Sequence, residues 1–171
     1  GPQDLIDVSV ELTARMLVLG KVAPDLTAAT LQVQRAIASG AGLDRFRRII
    51  EGQGGDPGVV DDYQRMPHVA DRHIVAASRA GFVTAVDAEL VGRASVALGA
   101  GRDRVDEAVD PAVGIMVAAK PGDAVKAGAP VLELHYRDRA RLEAAIRLTN
   151  QAITIGDEPP APRRLIVGEV R

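Results

Sequence analysis

Two glycines and an arginine, Gly99, Gly101 and Arg102, have the residue types and spacing best suited to ligand contact in this chain. Glycine lets a backbone approach a ligand or another lobe of a protein closely, and a guanidinium pairs well with an anion. Glycines that directly follow a helix are also common helix ends. The run therefore predicts a helix-ending turn, with a loop that closes a lobe over an anionic ligand as the functional alternative.

A second glycine-rich run, Gln53-Gly54-Gly55-Asp56, offers consecutive backbone amides that could form an anion-binding nest. It lacks the lysine and the serine or threonine at the spacing of a P-loop, and it does not lead from a strand into a helix. This run predicts a structural connection and not a phosphate site.

Clusters of metal-ligating residues are weak in this sequence. Four acidic residues lack the alternating oxygen ligands and central glycine of a calcium loop, and so predict a solvated loop: Asp103, Asp106, Glu107 and Asp110. Three scattered histidines, without any cysteine, do not favour a zinc site: His68, His73 and His135. The residues therefore predict neither a metal site nor a cofactor, and the absence of a Gly-x-Ser-x-Gly elbow leaves no serine nucleophile of that type.

The composition limits the classes of protein that fit. With 47% hydrophobic residues the 171-residue chain can bury a sizeable core, which must be aliphatic because only two Phe, two Tyr and no Trp are present. A net charge of −2 without a basic stripe argues against a nucleic-acid partner. The absence of cysteine favours a reducing cytoplasm, and no apolar run reaches the roughly 20 residues that span a bilayer.

Apolar residues at steps of three and four predict three helices in the first part of the chain. The first is expected to begin at Asp4 as its N-cap and to end at Gly20. The second is capped by Asp25 or Thr27 and stops at Gly40. The third carries one short apolar stripe: Leu43, Phe46, Ile49 and Ile50. A helical turn over 59–63 is expected to follow, and the three helices need a partner surface for their apolar stripes.

From residue 68 onward the pattern changes to short strands with two more helices. The predicted strands are 74–78, 82–86, 114–118 and 131–135. The first two are expected to form a hairpin in which Gly81 takes a positive φ. Helices are predicted over 88–98, between Asp87 and Gly99, and over 139–153. The proline-rich tail predicts an extended strap that ends in a short strand at 165–167.

The turn Gly122-Asp123-x-Val125-x-x-Gly128 resembles the glycine turn of biotinyl and lipoyl carrier domains. Those carriers modify a lysine at a hairpin tip, whereas Lys120 and Lys126 belong to the turn region itself. The run predicts shared backbone geometry, with positive φ at a glycine, and no modified lysine.

Taken in order, several segments resemble the carboxy-terminal portion of pyrimidine nucleoside (thymidine) phosphorylases. Gly1-Pro2-x-Asp4-Leu5 and the helix over 12–20 resemble that family's helical stretch after its catalytic core, and Gln53-Gly54-Gly55-Asp56 resembles its inter-lobe loop. Residues 81–102 and 113–128 resemble parts of its carboxy-terminal α/β-hammerhead domain.

The resemblance implies an α+β fold in three parts. Residues 1–66 correspond to a helical segment of the phosphorylase α/β domain, 67–155 to the C-terminal α/β-hammerhead domain and 156–171 to an extended tail. The start at Gly1 without an initiator methionine is expected from truncation of a longer chain.

In the family that the chain resembles, inorganic phosphate displaces the pyrimidine at the anomeric carbon and leaves a pentose 1-phosphate. Its phosphate site resembles Lys-x-Ser-x-Gly-Gly, and an arginine and a lysine hold the base. Neither motif occurs in this chain, so no catalytic residue is carried over and the 171 residues alone are expected to be inactive.

Two hypotheses about function follow. The first is the carboxy-terminal portion of a cytoplasmic, homodimeric phosphorylase that acts on a pyrimidine nucleoside and phosphate, with the loop from Gly99 to Arg102 contributing to closure. The second is a stand-alone, non-enzymatic hammerhead module that binds a protein partner.

Overall fold

The computed structural model describes residues 2–102, 104–162 and 164–170, and their backbone contacts form two compact units. Among these residues, the first unit contains 2–63 together with 164–170, and the second contains 64–102 and 104–162. The boundaries implied by the family resemblance, at 66 and 155, stay a prediction. Gly1, which belongs to the first resembling segment, lies outside the described residues.

Three helices build the first unit, as the apolar spacing predicts: α1 (Gln3–Leu19), α2 (Leu26–Ala38) and α3 (Ala41–Gly52). Gly20 ends α1, and the Asp25 carboxylate caps α2 by accepting a hydrogen bond from the Ala28 amide at 2.8 Å. The predicted N-cap at Asp4 is wrong, because Pro2 occupies that position and Asp4 lies in the first turn. A carboxylate there still interacts favourably with the helix dipole.

Two 3₁₀ turns, Pro57–Val60 and Tyr63–Arg65, replace the single helical turn expected over 59–63. The first begins earlier because the Asp56 carboxylate accepts a hydrogen bond from the Gly58 amide and Pro57 favours a helical start. The short strand predicted at 165–167 is wrong, because residues 164–170 contain no strand. Three apolar residues are too few to hold a segment as a β-strand when no neighbouring strand pairs with it.

Two helices and six strands build the second unit. In chain order they are β1 (Arg72–Ala76), β2 (Gly81–Val86), α4 (Ala88–Leu98), β3 (Gly114–Val117), β4 (Ala124–Val125), β5 (Pro130–His135), α5 (Arg139–Ala152) and β6 (Ile153–Gly156). The strands form two three-stranded antiparallel sheets, in the orders β1-β5-β3 and β4-β2-β6. The mixed helical and antiparallel content confirms the α+β class.

The predicted hairpin of β1 and β2 is wrong, because the two strands lie in different sheets. β1 pairs with β5, so that Val75 faces Leu132, and β2 pairs with β6 and β4. The connection through Gly81 keeps the predicted positive φ, of 153°, while it leads from one sheet to the other. Local turn chemistry identified the bend, but long-range burial decided the pairing.

The sequence predicts that the last helix runs to Ile153, and it does not predict β6. The helix instead stops at Ala152, and Ile153 already has extended backbone angles and pairs with Val86. A β-branched residue at a helix end favours an extended conformation, so little free energy is lost when Ile153 leaves the helix. The open edge of β2 then supplies hydrogen-bond partners for the backbone of β6.

An aliphatic core joins both sheets and both helices of the second unit, as the composition predicts. Its most deeply buried large side chains are Val83, Val131, Leu132 and Leu134. The buried Thr149 hydroxyl donates to the Ala145 carbonyl, 3.0 Å away, so this polar group is satisfied within α5.

The segment between β3 and β5 is hydrogen-bonded to a strand of one sheet and to the residue that follows a strand of the other. The Gly122 amide donates to the Val83 carbonyl, and the Gly128 amide donates to the Ala77 carbonyl, each over 2.8 Å. Both glycines have a positive φ, of 104° and 82°, as the turn pattern predicts.

We expect Gly122→Val and Gly128→Val each to lower the free energy of unfolding by about 1–3 kcal/mol, because valine is strained at positive φ. An added Cβ meets no atom within 4 Å at either site, so backbone strain alone accounts for the expected loss of stability. Thermal melting measures it, with Gly114→Val as the control at a glycine without positive φ and without close neighbours. Unchanged melting of both turn variants would contradict this account of the turn.

Candidate functional site

The sequence-predicted loop begins where α4 ends. The Asp87 carboxylate accepts from the Leu90 amide at the start of this helix, and Gly99 ends it with a φ of 107°. The Gly99 amide donates to the Val96 carbonyl, and the Ala100 amide donates to the Ser95 carbonyl. The helix-ending interpretation of Gly99 is therefore confirmed.

Packing also accounts for both glycines. A Cβ on Gly101 would lie 2.7 Å from the Val96 Cγ2 atom, and a Cβ on Gly99 would lie 3.0 Å from an Arg141 Nη atom. Gly99 and Gly101 thus allow the loop to fold back against α4 and to approach α5. A contact of these glycines with a ligand, or a role in closing a lobe, stays a prediction.

Asp110 holds the far end of the same loop. Its amide donates to the Gly99 carbonyl at 2.9 Å, and its carboxylate accepts from the Ala112 amide and from the Arg137 Nε, each at 3.0 Å. The hydrogen bond from Arg137, followed by that from Ala112, lowers the pKa of Asp110 below its ordinary value. The carboxylate therefore joins the loop to the segment that precedes α5.

Because the folded chain lowers the pKa of Asp110, this carboxylate should stabilise the fold above the ordinary carboxyl pKa of about 4. We expect Asp110→Asn to be less stable than the unchanged chain at pH 7. The difference should shrink as the pH falls through the lowered pKa, where both states become neutral. Melting curves from pH 7 down to pH 3 measure it, with Asp106→Asn, at an exposed ion pair with Arg104, as the control. A difference in stability between Asp110→Asn and the unchanged chain that stays constant down to pH 3 would contradict the role of the ion pair between Asp110 and Arg137.

An open groove of about 860 Å³ lies between α4 and α5 beside the loop. Twelve residues line it: Ala88, Glu89, Gly92, Arg93, Val96, Ala97, Arg102, Glu107, Ala140, Arg141, Ala144 and Leu148. Arg102 is thus brought together with Arg93 and Arg141, whereas Gly99 lines a smaller neighbouring cavity of about 360 Å³. Arg141 lines both spaces.

The chemistry of this groove suits binding better than covalent catalysis. Its three guanidinium groups can donate paired hydrogen bonds to an anion, and two carboxylates, Glu89 and Glu107, line the same groove, with Glu89 at 4.0 Å from Arg93. None of the described residues that line the groove is a serine, threonine, histidine or lysine. These residues therefore offer no hydroxyl, imidazole or amine that could act as a nucleophile.

Sequence reasoning found Arg102 but missed Arg93 and Arg141. Arg93 carries a local signal, since Glu89 lies four residues before it on the same helix. The approach of α5 to α4 comes from burial in the shared core, which no local spacing in the sequence encodes.

The other glycine-rich candidate, Gln53-Gly54-Gly55-Asp56, forms the end of α3. The amides of Gln53, Gly54 and Gly55 donate to carbonyls of Ile49, Ile50 and Glu51 at the last turn of the helix. Amides that cap a helix are not available as an anion nest, so the structural interpretation of this run is confirmed.

The histidines and the acidic cluster do not form a metal site among the described residues. His135 contacts the Glu133 carboxylate at 2.8 Å, and His68 contacts the Met66 carbonyl. Among the described residues no three metal-ligating side chains come together, and Asp103 of the acidic cluster lies outside them. Within the same residues, no helix has both the length and the apolar character that crossing a membrane requires.

The second unit is a small α+β domain with an open groove, and comparison with known proteins defines its class. Residues 82–156 match the family model described as the pyrimidine nucleoside phosphorylase C-terminal domain. The matched range contains β2 from its second residue onward, β3 to β6, α4, α5 and all of the described groove residues.

Nearly all of the chain is similar to two proteins that are named pyrimidine-nucleoside phosphorylase. It is 36% identical over 163 residues to the pyrimidine-nucleoside phosphorylase of Bacillus subtilis (strain 168), and 35% identical over 162 residues to that of Staphylococcus aureus (strain USA300). Each match covers 95% of this chain and 37% of the relative, so the chain spans little more than a third of their length. By these matches the chain is homologous to the carboxy-terminal portion of pyrimidine nucleoside phosphorylases.

Proposed function

We propose that this chain is the carboxy-terminal portion of a phosphorylase that cleaves pyrimidine nucleosides with inorganic phosphate. The products would be the free base and a pentose 1-phosphate, which makes the enzyme a pentosyltransferase. The observation that carries this proposal is the 36% identity to a pyrimidine-nucleoside phosphorylase, which runs through both units and not only through the C-terminal domain.

Phosphorolysis requires a cradle for phosphate and cations that stabilise the departing base as it gains negative charge. This chain has three lysines, and none of them is followed by the Ser-x-Gly-Gly part of the family's phosphate loop. The catalytic groups therefore belong to sequence beyond these 171 residues. The part left to this chain is structural, with the loop from Gly99 to Arg102 contributing to closure around the substrates.

Homodimerisation and a cytoplasmic location form part of the same proposal. The stand-alone protein-binding module is not favoured, because a free module would need no similarity in the helices of the first unit.

The native gene product, purified at its natural length, tests the proposal. Its intact mass and its release of free base from uridine and thymidine, with and without phosphate, are measured together. We expect a chain of several hundred residues that releases base only when phosphate is present. A native species of 171 residues without turnover would instead support the module.

A further inference from the structure

The groove between α4 and α5 combines charges of both signs with an apolar floor. Three arginines and two glutamates line it, which leaves one net positive charge there, whereas the whole chain has a net charge of −2. Its volume of about 860 Å³ falls within the range of small-molecule sites, about 300–1,000 Å³. The charged residues are Arg93, Arg102, Arg141, Glu89 and Glu107. A ligand that fills this groove must therefore suit both donors and acceptors of hydrogen bonds.

Arg102 and Arg141 lie at the end of the groove where α4 stops. Arg102 follows the helix-ending Gly99 by three residues, and an Arg141 Nη atom lies 3.0 Å from the position of a Cβ on Gly99. Within the described residues neither guanidinium forms an ion pair with a carboxylate, whereas the nearby Arg104 pairs with Asp106 at 3.2 Å. Two guanidiniums at the same end of a groove can donate paired hydrogen bonds to phosphate oxygens. This end of the groove therefore suits a phosphate group.

Arg93 and Glu89 lie further along α4. Arg93 precedes Gly99 by six residues, which corresponds to about 9 Å along the helix axis. The Arg93 guanidinium and the Glu89 carboxylate are 4.0 Å apart, beyond hydrogen-bond distance, so both groups can still bind a ligand. A hydroxyl both donates and accepts hydrogen bonds, so a sugar can donate to Glu89 and accept from Arg93. This part of the groove therefore suits sugar hydroxyls at some distance from the phosphate.

Gly92 forms part of the floor, directly before Arg93 on α4. Glycine inside a helix is less stable than alanine, and Gly92 does not have the positive φ that would favour glycine. An added Cβ would meet no atom within 4 Å, so packing does not require a glycine at this position. A bare backbone at this point lets a ring lie close to the helix. None of the described lining residues is aromatic, so a nucleobase would find no side chain on which to stack.

We propose that the groove binds a phosphorylated sugar, either free or as part of a nucleotide. Its phosphate lies between Arg102 and Arg141. Its ring lies over Gly92, and its hydroxyls contact Glu89 and Arg93. A ligand with carboxylates alone would be repelled by the two glutamates, and a lone phosphate would leave the floor uncovered. The site extends beyond the proposed function, because it belongs to this groove alone and its test needs no turnover.

Calorimetric titration of the 171-residue chain tests this site, with ribose 5-phosphate as the probe. Ribose and inorganic phosphate, the two halves of the probe, are titrated for comparison. We expect saturable binding of one ribose 5-phosphate per chain, at least about tenfold tighter than the binding of either half. Uridine 5′-monophosphate is the second probe. Both results for it support the site: equal affinity assigns it to the sugar phosphate itself, and an affinity higher by about tenfold or more assigns it to a nucleotide.

Two pairs of arginine variants locate the phosphate. Arg102→Ala and Arg141→Ala should each weaken the binding of ribose 5-phosphate by about tenfold or more, because each removes charge-assisted hydrogen bonds. Their matched controls are Arg104→Ala in the same loop and Arg139→Ala on the same helix, two exposed arginines that do not line the groove. The controls should change the affinity by about twofold or less. Circular dichroism of each variant shows whether it is folded.

Gly92→Leu tests the floor without removing a charge. Its Cβ has free space, and leucine favours a helix, so the melting temperature should not fall. The longer side chain fills the space over α4, so the affinity for ribose 5-phosphate should fall by about tenfold or more.

Absence of saturable binding of both probes at low millimolar concentration would overturn the inference. Inorganic phosphate that binds as tightly as ribose 5-phosphate would also overturn it, since that result would assign a simple anion site. An equal loss of affinity in Arg104→Ala, Arg139→Ala and Arg102→Ala would show that general charge, and not the groove, holds the probe. A folded Gly92→Leu variant that binds as tightly as the unchanged chain would likewise contradict the placement of the sugar.

Discussion

Replacing Gly81 by alanine is expected to lower the free energy of unfolding by about 3–5 kcal/mol. Gly81 opens β2, the central strand of its sheet, where it pairs with Val125. An added Cβ would overlap the backbone carbonyl oxygen of Gly156 and come within 2.9 Å of the Ile155 Cγ2 atom. Because a carbonyl in a paired strand cannot rotate away, the strand itself must shift, and the φ of 153° adds strain.

Thermal and urea denaturation measure this effect. The matched control is Gly92→Ala in α4, where an added Cβ meets no atom within 4 Å and alanine should stabilise the helix by about 0.5–1 kcal/mol. Gly156→Ala gives an intermediate case, since its Cβ would meet the Thr84 side chain, which can move. A Gly81→Ala variant with the same melting temperature as the unchanged chain would contradict this description of the connection through Gly81 between the two sheets.

The second large effect concerns catalysis by the 171 residues alone. We expect no phosphate-dependent release of base from uridine or thymidine, because the rate enhancement of such an enzyme, about a millionfold or more, depends on preorganised groups that this chain lacks. The described residues of the groove beside Arg102 offer guanidinium groups but no lysine or hydroxyl. An assay of the purified chain with each nucleoside and phosphate measures this, with the Bacillus subtilis relative as the positive control.

Turnover that survives repurification and follows the chain would contradict this prediction. The variant Arg102→Ala would then show whether the activity belongs to the groove. A loss of turnover in that variant would place a complete site between α4 and α5.

Elements with strong local signals were predicted closely from the sequence. Helix α4 lies between Asp87 and Gly99 as expected, because a side-chain cap and a glycine at positive φ act within a few residues of the helix itself. The positive φ values at Gly122 and Gly128 were predictable for the same reason. Family resemblance, carried by several short motifs in order, is likewise a property of the sequence.

Features that depend on distant partners were not predictable in this way. The bend at Gly81 was visible, but whether β1 would pair with β2 or with β5 depends on the burial of Leu132 and Leu134. Strand β6 exists because Ile153 meets the edge of β2, and the groove exists because α5 brings Arg141 towards Arg93. Each of these outcomes needs two segments that lie tens of residues apart.

Restoration of catalysis by this chain is the most direct test of its proposed place in a phosphorylase. A hybrid enzyme is made in which these 171 residues replace the matching 163-residue region of the Bacillus subtilis pyrimidine-nucleoside phosphorylase. Phosphate-dependent release of uracil from uridine is measured for the hybrid, for the Bacillus subtilis enzyme without its matching region, and for the 171-residue chain. The account predicts base release by the hybrid and none by either part alone. A hybrid that has the circular dichroism and the melting behaviour of the Bacillus subtilis enzyme but releases no base would contradict it.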